Sequence, residues 1–337
     1  MERGRGIRIV GAALVALLSL ALLASAASAA RDSDKDGLPD RWEQKSKRGK
    51  KPAGPLANLR KLGARPDHRD VFVEVDYANG FDRSAVGCDD LDGLVDAFAG
   101  APLMNPDGKG GIRLHIDAGF KCPSRSYSFG GSSRFQASTP CANPNDIGSG
   151  LAADRLKVFH LAGVVGPGAL CGAEGIATST DFMLNGQSGF GHVFMHELGH
   201  VFGLDHGNIN SFSVMSQGLL TVPTQEPILD YNRYPIGALD EASLSEAAGY
   251  QSTAAGEAYI ARFYGMHYCG GLSAQGPANA NIDWDCDGAP FWMPPASQYI
   301  DPGTVSHDVD GSGAINTIPA APAEWPLLRL GNGRVGG

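Results

Sequence analysis

The sequence predicts an α+β fold, with a regularly alternating α/β arrangement as the alternative, because segments of strand and helix periodicity follow one another along the chain. Alternating apolar residues in VFVEVDYA at 71–78 predict a first strand, and residues 89–99 (DDLDGLVDAFA) have the apolar spacing of an amphipathic helix. Further strands are predicted at 111–119, 156–165 and 175–184. Hydrophobic residues make up 43% of the 337 residues and charged residues 19%, which favours a packed core over a disordered chain.

The first 29 residues have the pattern of an export signal. Basic residues precede an apolar run from Ile9 to Ala24, and Ala27-Ser28-Ala29 fits an A-x-A cleavage site. We therefore predict a signal peptide over 1–29, a secreted protein and no stable membrane anchor; an uncleaved anchor is the alternative. With 27 Lys and Arg against 36 Asp and Glu, the net charge of −9 argues against a nucleic-acid partner.

Six cysteines follow the predicted signal peptide. An even number in an exported chain predicts up to three disulfides, for which fifteen connectivities are possible. Short loops favour pairing Cys122 with Cys141 and Cys269 with Cys286. No CxxC pair is present, which argues against a zinc site built from cysteines.

Residues 32–43, DSDKDGLPDRWE, have the ligand spacing of an EF-hand calcium loop. Alternate carboxylates converge on a hard cation, a glycine allows the sharp turn, and the last glutamate can bind through both oxygens. Pro39 stands where a paired EF-hand carries an apolar residue, which favours a single, structural Ca²⁺ loop. A solvated acidic tail is the alternative reading. The predicted calcium ligands are Asp32, Asp34, Asp36, the Leu38 carbonyl, Asp40 and Glu43.

The segment His196-Glu197-Leu198-Gly199-His200 continues to a third histidine at position 206. His196 and His200 are four residues apart, so on a helix they lie on one face and can share one Zn²⁺. A left-handed glycine at Gly203 can end the helix and bring His206 back as a third ligand. Three protein ligands leave one position open, as a catalytic zinc site requires. Ordinary helix histidines are the alternative, and His192, one turn earlier, is predicted to be structural.

This HExxHxxGxxH pattern resembles the signature of the metzincin zinc metalloproteases, over roughly residues 65–250. Metzincins also carry a methionine turn below the metal, and Met215 in Ser213-Val214-Met215-Ser216 matches it. Met215 is therefore expected to provide an apolar surface below the zinc without binding it. Gln217 replaces the tyrosine found in some members, and that role is not carried over. The resemblance implies a twisted mixed sheet, an active-site helix and a mainly helical lower part. It also implies that an edge strand within 175–184 pairs with an extended substrate.

The resemblance implies an activity as well: a secreted zinc endopeptidase in which Glu197 is the general base and His196, His200 and His206 hold the metal. Protein or peptide substrates and a monomeric state are expected. One alternative is an extracellular, calcium-dependent binding or adhesion protein with an inactive zinc site. A second is a zinc hydrolase acting on a bond other than a peptide bond.

The predicted domains are a signal peptide (1–29), a calcium-loop segment with a basic, exposed linker (30–64), a metzincin-like catalytic domain (65–250) and a loop-rich C-terminal extension (251–337). A short helix is expected after Asp240. The extension holds two incomplete calcium motifs, for which acidic surface turns are the alternative. Their acidic and flanking residues are Asp283, Asp285, Asp287 and Gly288 in the first motif, and Asp308, Asp310, Ser312, Gly313 and Asn316 in the second.

Overall fold

The computed structural model describes most of the region between the predicted calcium loop and the third histidine, together with parts of the C-terminal region. The described residues are 31–44, 59–148, 153–186, 189–206, 213–215, 229–233, 235, 239–240, 242, 244–245, 304–305, 314–315, 317–318 and 322–331. The predicted signal peptide, both C-terminal calcium motifs (apart from 314–315), Gln217, Cys269 and Cys286 lie outside them.

The described helices and strands differ widely in length. The α-helices are α1 (Asp40–Glu43), α2 (Leu59–Leu62), α3 (Cys88–Ala99), α4 (Ala153–Leu156) and α5 (Phe190–Val201). The strands are β1 (Asp70–Ala78), β2 (Arg113–Asp117), β3 (Phe120–Lys121), β4 (Ser126–Tyr127), β5 (Arg134–Phe135), β6 (Phe159–Val165), β7 (Gly175–Ala177), β8 (Asp181–Asn185), β9 (Leu239–Asp240), β10 (Leu244–Ser245), β11 (Thr304–Val305) and β12 (Thr317–Ile318).

A six-stranded, mostly parallel sheet organises the fold. Its order is β2-β1-β6-β8-β7, with β5 also pairing with β1. All pairings are parallel except the last, in which β7 runs antiparallel to β8. Every residue of β1, β6 and β8 is buried, as expected for parallel strands covered on both faces. The structure is thus a mixed α/β fold, which confirms the predicted mixture of strands and helices and specifies a mostly parallel sheet.

The predicted strand over 175–184 is two strands. The two are joined by a turn in which the Thr178 N–H donates to the Asp181 carbonyl oxygen (2.7 Å) and the Asp181 N–H donates to the Thr178 hydroxyl (3.0 Å). The polar run Thr178-Ser179-Thr180 satisfies its own backbone in this way, since short hydroxyl side chains compete with ladder hydrogen bonds. The split makes β7 alone the antiparallel edge of the sheet.

Helices α3 and α5 pack against the sheet and each other. In α3 the buried side chains Leu91, Leu94 and Phe98 repeat at three and four residues, so one face lies in the core. Helix α5 is buried around most of its circumference, which agrees with the apolar residues between its histidines. No α-helix lies among the described residues after Val201, so the mainly helical lower part stays a prediction. After Asp240, where a short helix is expected, Ala242 lies in a 3-10 turn, and β10 (Leu244–Ser245) follows and pairs with β11.

The C-terminal residues 322–331 join the same core. The Trp325 ring lies 5.3 Å from the Phe98 ring and 4.9 Å from the Tyr231 ring, both edge to face. These aromatic residues are fully buried. The predicted C-terminal extension therefore contributes its last described segment to the domain that carries α5.

The predicted disulfide between Cys122 and Cys141 is wrong. The structure pairs Cys88 with Cys122 and Cys141 with Cys171. The first bond ties the β3–β4 hairpin to the start of α3, and the second ties the loop around 141 to the turn after β6, where the Ala142 N–H also donates to the Ala169 carbonyl. Tertiary packing, which separation along the sequence does not report, selects these pairs.

The basic linker predicted within 30–64 is structured at its end. Residues 45–58 lie outside the described part of the chain, but Leu59 in α2 is fully buried with Ala64, Phe72 and Phe159. One apolar side chain therefore anchors the end of this basic segment. None of the helices in the described ranges is long and apolar enough to cross a membrane.

Candidate metal centre

The three predicted histidine ligands converge at the end of α5. The Nε2 atoms of His196 and His200 are 3.2 Å apart, and those of His200 and His206 are 3.1 Å apart. Two Zn–N bonds of about 2.05 Å at a tetrahedral angle place their nitrogens roughly 3.3 Å apart. The spacing of the ring nitrogens therefore fits one zinc ion.

Local sequence produces this convergence. His196 and His200 share one face of α5 because they are four residues apart. The helix ends at Val201, and Gly203 has φ +88°, a left-handed conformation that glycine adopts without strain. The chain then turns back, the Leu204 N–H donates to the Gly199 carbonyl (2.9 Å), and His206 reaches the other two rings.

Hydrogen bonds fix the protonation of two imidazoles. The Nδ1–H of His196 donates to the Val214 carbonyl (2.7 Å), and that of His200 donates to the Leu204 carbonyl (2.8 Å). A carbonyl only accepts, so in the neutral rings each Nε2 carries a lone pair. Burial lowers the pKa of His196 to about 4 and also lowers the pKa of His200, which keeps both rings neutral near pH 7. Neutral nitrogens that face one another are the donor set a Zn²⁺ ion requires.

Glu197 lies beside the first ligand and is 5% exposed. Burial raises its pKa to about 7. The edge strand β7 approaches it closely: a Cβ built on Gly175 would come within 2.4 Å of Glu197 Oε1. Only a residue without a side chain fits between β7 and this carboxylate.

An open cavity of about 550 Å³ is lined by Glu197, His200 and His206, among other residues. One wall is β7 and the turn that follows it (Gly175–Ser179). The other wall carries Glu197 and His200 from α5 and the residues Gly203–His206. His206 is exposed at this cavity, whereas His196 is buried behind it.

Met215 is fully buried below α5, where the sequence places a methionine turn. A Cβ built on Gly199 would lie 2.4 Å from the Met215 sulfur. Met215 follows Val214, whose carbonyl orients His196, and the Met215 N–H donates to the Ser213 hydroxyl (3.0 Å). His192 is buried one turn before His196 and does not belong to any described cluster of metal-ligating atoms.

Residues far along the chain support this turn, and the sequence did not reveal them. The buried Glu324 carboxylate accepts from the Ser213 hydroxyl and from the Asn232 N–H (2.9 Å). Trp325 Nε1–H donates to Asp230 Oδ1 (2.8 Å), and the Tyr231 hydroxyl donates to the Met195 carbonyl (2.7 Å). These residues form no short motif, so no local signal marks them.

The acidic loop forms a second cluster, which includes Asp70, a residue the sequence analysis did not select. Oxygens of Asp32, Asp34 and Asp36 lie within 4.8 Å of one another, and so do those of Asp36, Glu43 and Asp70. Burial, with the neighbouring carboxylates, raises the pKa of Asp36 to about 9 and of Glu43 to about 10.

One predicted calcium ligand, Asp40, makes its contacts within its own segment of the loop. Asp40 turns to its own segment, accepting from the Ser33 N–H (2.7 Å) and hydroxyl (2.8 Å) and pairing with Arg31 (3.1 Å). The Leu38 N–H donates to Asp36 Oδ1 (2.7 Å). Asp40 therefore closes the loop, while Asp70 takes a place in the cluster.

Comparison with known proteins does not assign the site, since no family model and no curated protein matches the chain. The chemistry of the site is therefore argued from its residues alone.

Proposed function

We propose that the protein is a secreted zinc endopeptidase of metzincin type. The observation that carries the proposal is the convergence of three neutral imidazole Nε2 atoms at zinc-ligand spacing beside a buried glutamate and an open cleft. His196, His200 and His206 are the ligands. Zinc, when bound, supplies a Lewis acid that polarises a carbonyl group and lowers the pKa of water.

Glu197 is the proposed general base. Its raised pKa of about 7 matches the group to proton transfer near neutral pH, where it can both accept and return a proton. In peptide hydrolysis the carboxylate takes a proton from the attacking water and delivers it to the amine that leaves. The close approach of Gly175 holds the carboxylate at the cleft wall.

The edge strand β7 supports a peptide as the substrate. One side of β7 pairs with β8, and β7 is the last strand in the order of the described sheet. An extended peptide that adds to this edge would form backbone hydrogen bonds and pass along the cleft in front of Glu197. A cavity open to the exterior can accept an internal segment of a protein substrate, which favours an endopeptidase.

The test is cleavage of casein and of a random peptide library by the zinc-loaded protein and by Glu197→Gln. The variant keeps the size of the side chain and removes its basicity. We expect cleavage by the wild type, a loss of at least about 1,000-fold in the variant, and equal zinc content in both. A folded, zinc-loaded wild type that cleaves neither substrate would contradict the proposal and favour the binding role. Hydrolysis of only non-peptide esters or amides would favour the second alternative.

A further inference from the structure

Four buried carboxylate oxygens in the N-terminal loop have no hydrogen-bond partner among the described residues. They are both oxygens of Asp34, which is 1% exposed, and both oxygens of Glu43, which is 0% exposed. Buried carboxylates are strongly destabilising unless a donor or a cation faces them. Their orphaned oxygens therefore point to a ligand that the surrounding protein groups do not replace.

Backbone N–H groups orient the carboxylates of Asp32 and Asp36, which neighbour Asp34 and Glu43. Asp32 accepts from the N–H groups of Lys35 (2.8 Å) and Gly37 (2.9 Å), and Asp36 accepts from those of Leu38 and Asp70. Each of these carboxylates keeps lone pairs for a metal, because a carboxylate accepts at about four sites. The loop is thus preformed around the cluster.

The charge of the cluster is unbalanced. Asp70 contacts His115 (2.6 Å) and Arg113 (3.7 Å). Among the described residues, no ion pair reaches Asp32, Asp34, Asp36 or Glu43, and the nearby Arg31 pairs with Asp40. Several negative charges held this close without a cation repel one another strongly.

We propose that Asp32, Asp34, Asp36 and Glu43 bind one Ca²⁺ ion next to Asp70, and that this ion fixes the loop to the start of β1 and to the C-terminal residues. Ca²⁺ takes six to eight oxygen ligands in flexible geometry, whereas Mg²⁺ requires a near-ideal octahedron and keeps its waters. A crowded set of buried carboxylates fits the larger ion. The proposal is independent of the peptidase activity.

The link to β1 is direct. The Asp70 N–H, at the first residue of β1, donates to Asp36 Oδ2 (2.8 Å) across 34 residues of sequence. The Asp70 carboxylate in turn accepts a hydrogen bond from the Arg65 N–H (2.8 Å) and pairs with the His115 imidazole on β2. An ion that fixes Asp36 therefore fixes the start of β1 and, through His115, the edge strand β2.

The link to the metal centre runs through residues 329–331, which we call the C-terminal strap. Gly37 in the loop touches the strap so closely that a Cβ on Gly37 would lie 2.2 Å from the Gly331 Cα. At its other end, the Arg329 N–H donates to the Phe202 carbonyl (3.0 Å), and Phe202 lies between α5 and the turn that carries His206. The strap thus lies between the calcium loop and the end of the helix that bears the histidines.

The test starts from the full secreted protein stripped of all metals by chelation and gel filtration. Isothermal titration with CaCl₂ is expected to show a site that Asp34→Asn and Glu43→Gln lose, and saturating Ca²⁺ is expected to raise Tm by about 5 °C or more. Asp34→Asn and Glu43→Gln are expected to lose most of this gain, whereas Asp67→Asn, an exposed acid outside the loop, keeps it. Absence of binding, an equal gain with MgCl₂, or a full gain in Asp34→Asn would overturn the site.

Hydrogen exchange in the zinc-free protein tests the structural role. Ca²⁺ is expected to slow exchange in the strap and at 202–206 in the wild type, and to leave exchange unchanged in Glu43→Gln. Calcium binding that protects only residues 32–43 would overturn the proposed link to the metal centre. Because no zinc and no substrate are present, these results do not depend on whether the protein is a peptidase.

Discussion

Gly199 and Met215 are in direct contact below the three histidines. A Cβ on Gly199 would lie 2.4 Å from the Met215 sulfur and 3.0 Å from Cε1 of the Tyr231 ring. Both neighbours are fully buried and have little room to move. The glycine between the two helix histidines therefore lets the segment Ser213–Met215 approach α5, and with it the Val214 carbonyl that orients His196.

Gly199→Ala is expected to destabilise the protein although it replaces a helical glycine. Alanine favours a helix interior by about 0.5–1 kcal/mol, whereas overpacking a filled core costs about 1–3 kcal/mol. We expect a net loss of about 1–2 kcal/mol in the free energy of unfolding, measured by urea denaturation of the metal-free protein. In a Met215→Ala background the cost of Gly199→Ala should largely disappear, since the space is then free. An equal cost in both backgrounds would show that the contact does not limit position 199.

The contact between Gly175 and Glu197 predicts a different effect. Gly175→Ala would push the Glu197 side chain away from the cleft wall, because the new Cβ would come within 2.4 Å of its Oε1 and 2.6 Å of its Cδ. A misplacement of about 1 Å in a catalytic group can cost roughly 100-fold in rate. We therefore expect kcat/KM for peptide cleavage to fall about 100-fold, with zinc content unchanged.

Gly166→Ala is the matched control for this variant. A Cβ at Gly166 meets no described atom within 4 Å, so the substitution should leave kcat/KM within about twofold. Full activity of Gly175→Ala, or the same loss in both glycine variants, would contradict the assigned role of the Gly175 contact.

The features predicted from the sequence are those set by local chemistry. Helix periodicity and the turn at Gly203 depend on a few adjacent residues, so the approach of His196, His200 and His206 could be predicted. The first strand could be predicted from its alternating apolar residues for the same reason. The turn at Thr178–Asp181 also has a local signal, a run of three hydroxyl residues that favours a turn over a continuous strand.

The features that were missed are set by the tertiary fold. Asp70 is 34 residues from the Asp36 that it contacts, and Glu324 is 111 residues from Ser213. Neither residue lies in a recognisable motif, and both are single acids in otherwise ordinary segments. The choice of Cys88 and Cys171 as disulfide partners likewise follows from how α3 and the loop after β6 pack.

Glu324 provides a test of the long-range support for the segment Ser213–Met215. Glu324→Ala would leave the Ser213 hydroxyl and the Asn232 N–H without their acceptor in a buried place, and each such group costs about 1–3 kcal/mol. We expect a loss of about 3 kcal/mol in the free energy of unfolding, measured by urea denaturation at pH 7.

The conservative variant separates hydrogen bonding from charge. Burial raises the pKa of Glu324, so its site favours a neutral side chain, and Glu324→Gln keeps an acceptor oxygen there. Its loss should be clearly smaller than that of Glu324→Ala. If the two variants were equally destabilised, the charge and not the acceptor would support the turn.

The central claim is that three imidazoles at the end of α5 hold one zinc ion, and zinc content tests it most directly. Protein dialysed against micromolar ZnCl₂ and then against metal-free buffer should retain one zinc per chain by inductively coupled plasma mass spectrometry. His206→Ala should lose most of that zinc, whereas His68→Ala, whose imidazole pairs with Asp107 outside the cleft, should keep it. A wild type that retains no zinc, or a His206→Ala variant that retains all of it, would contradict the account.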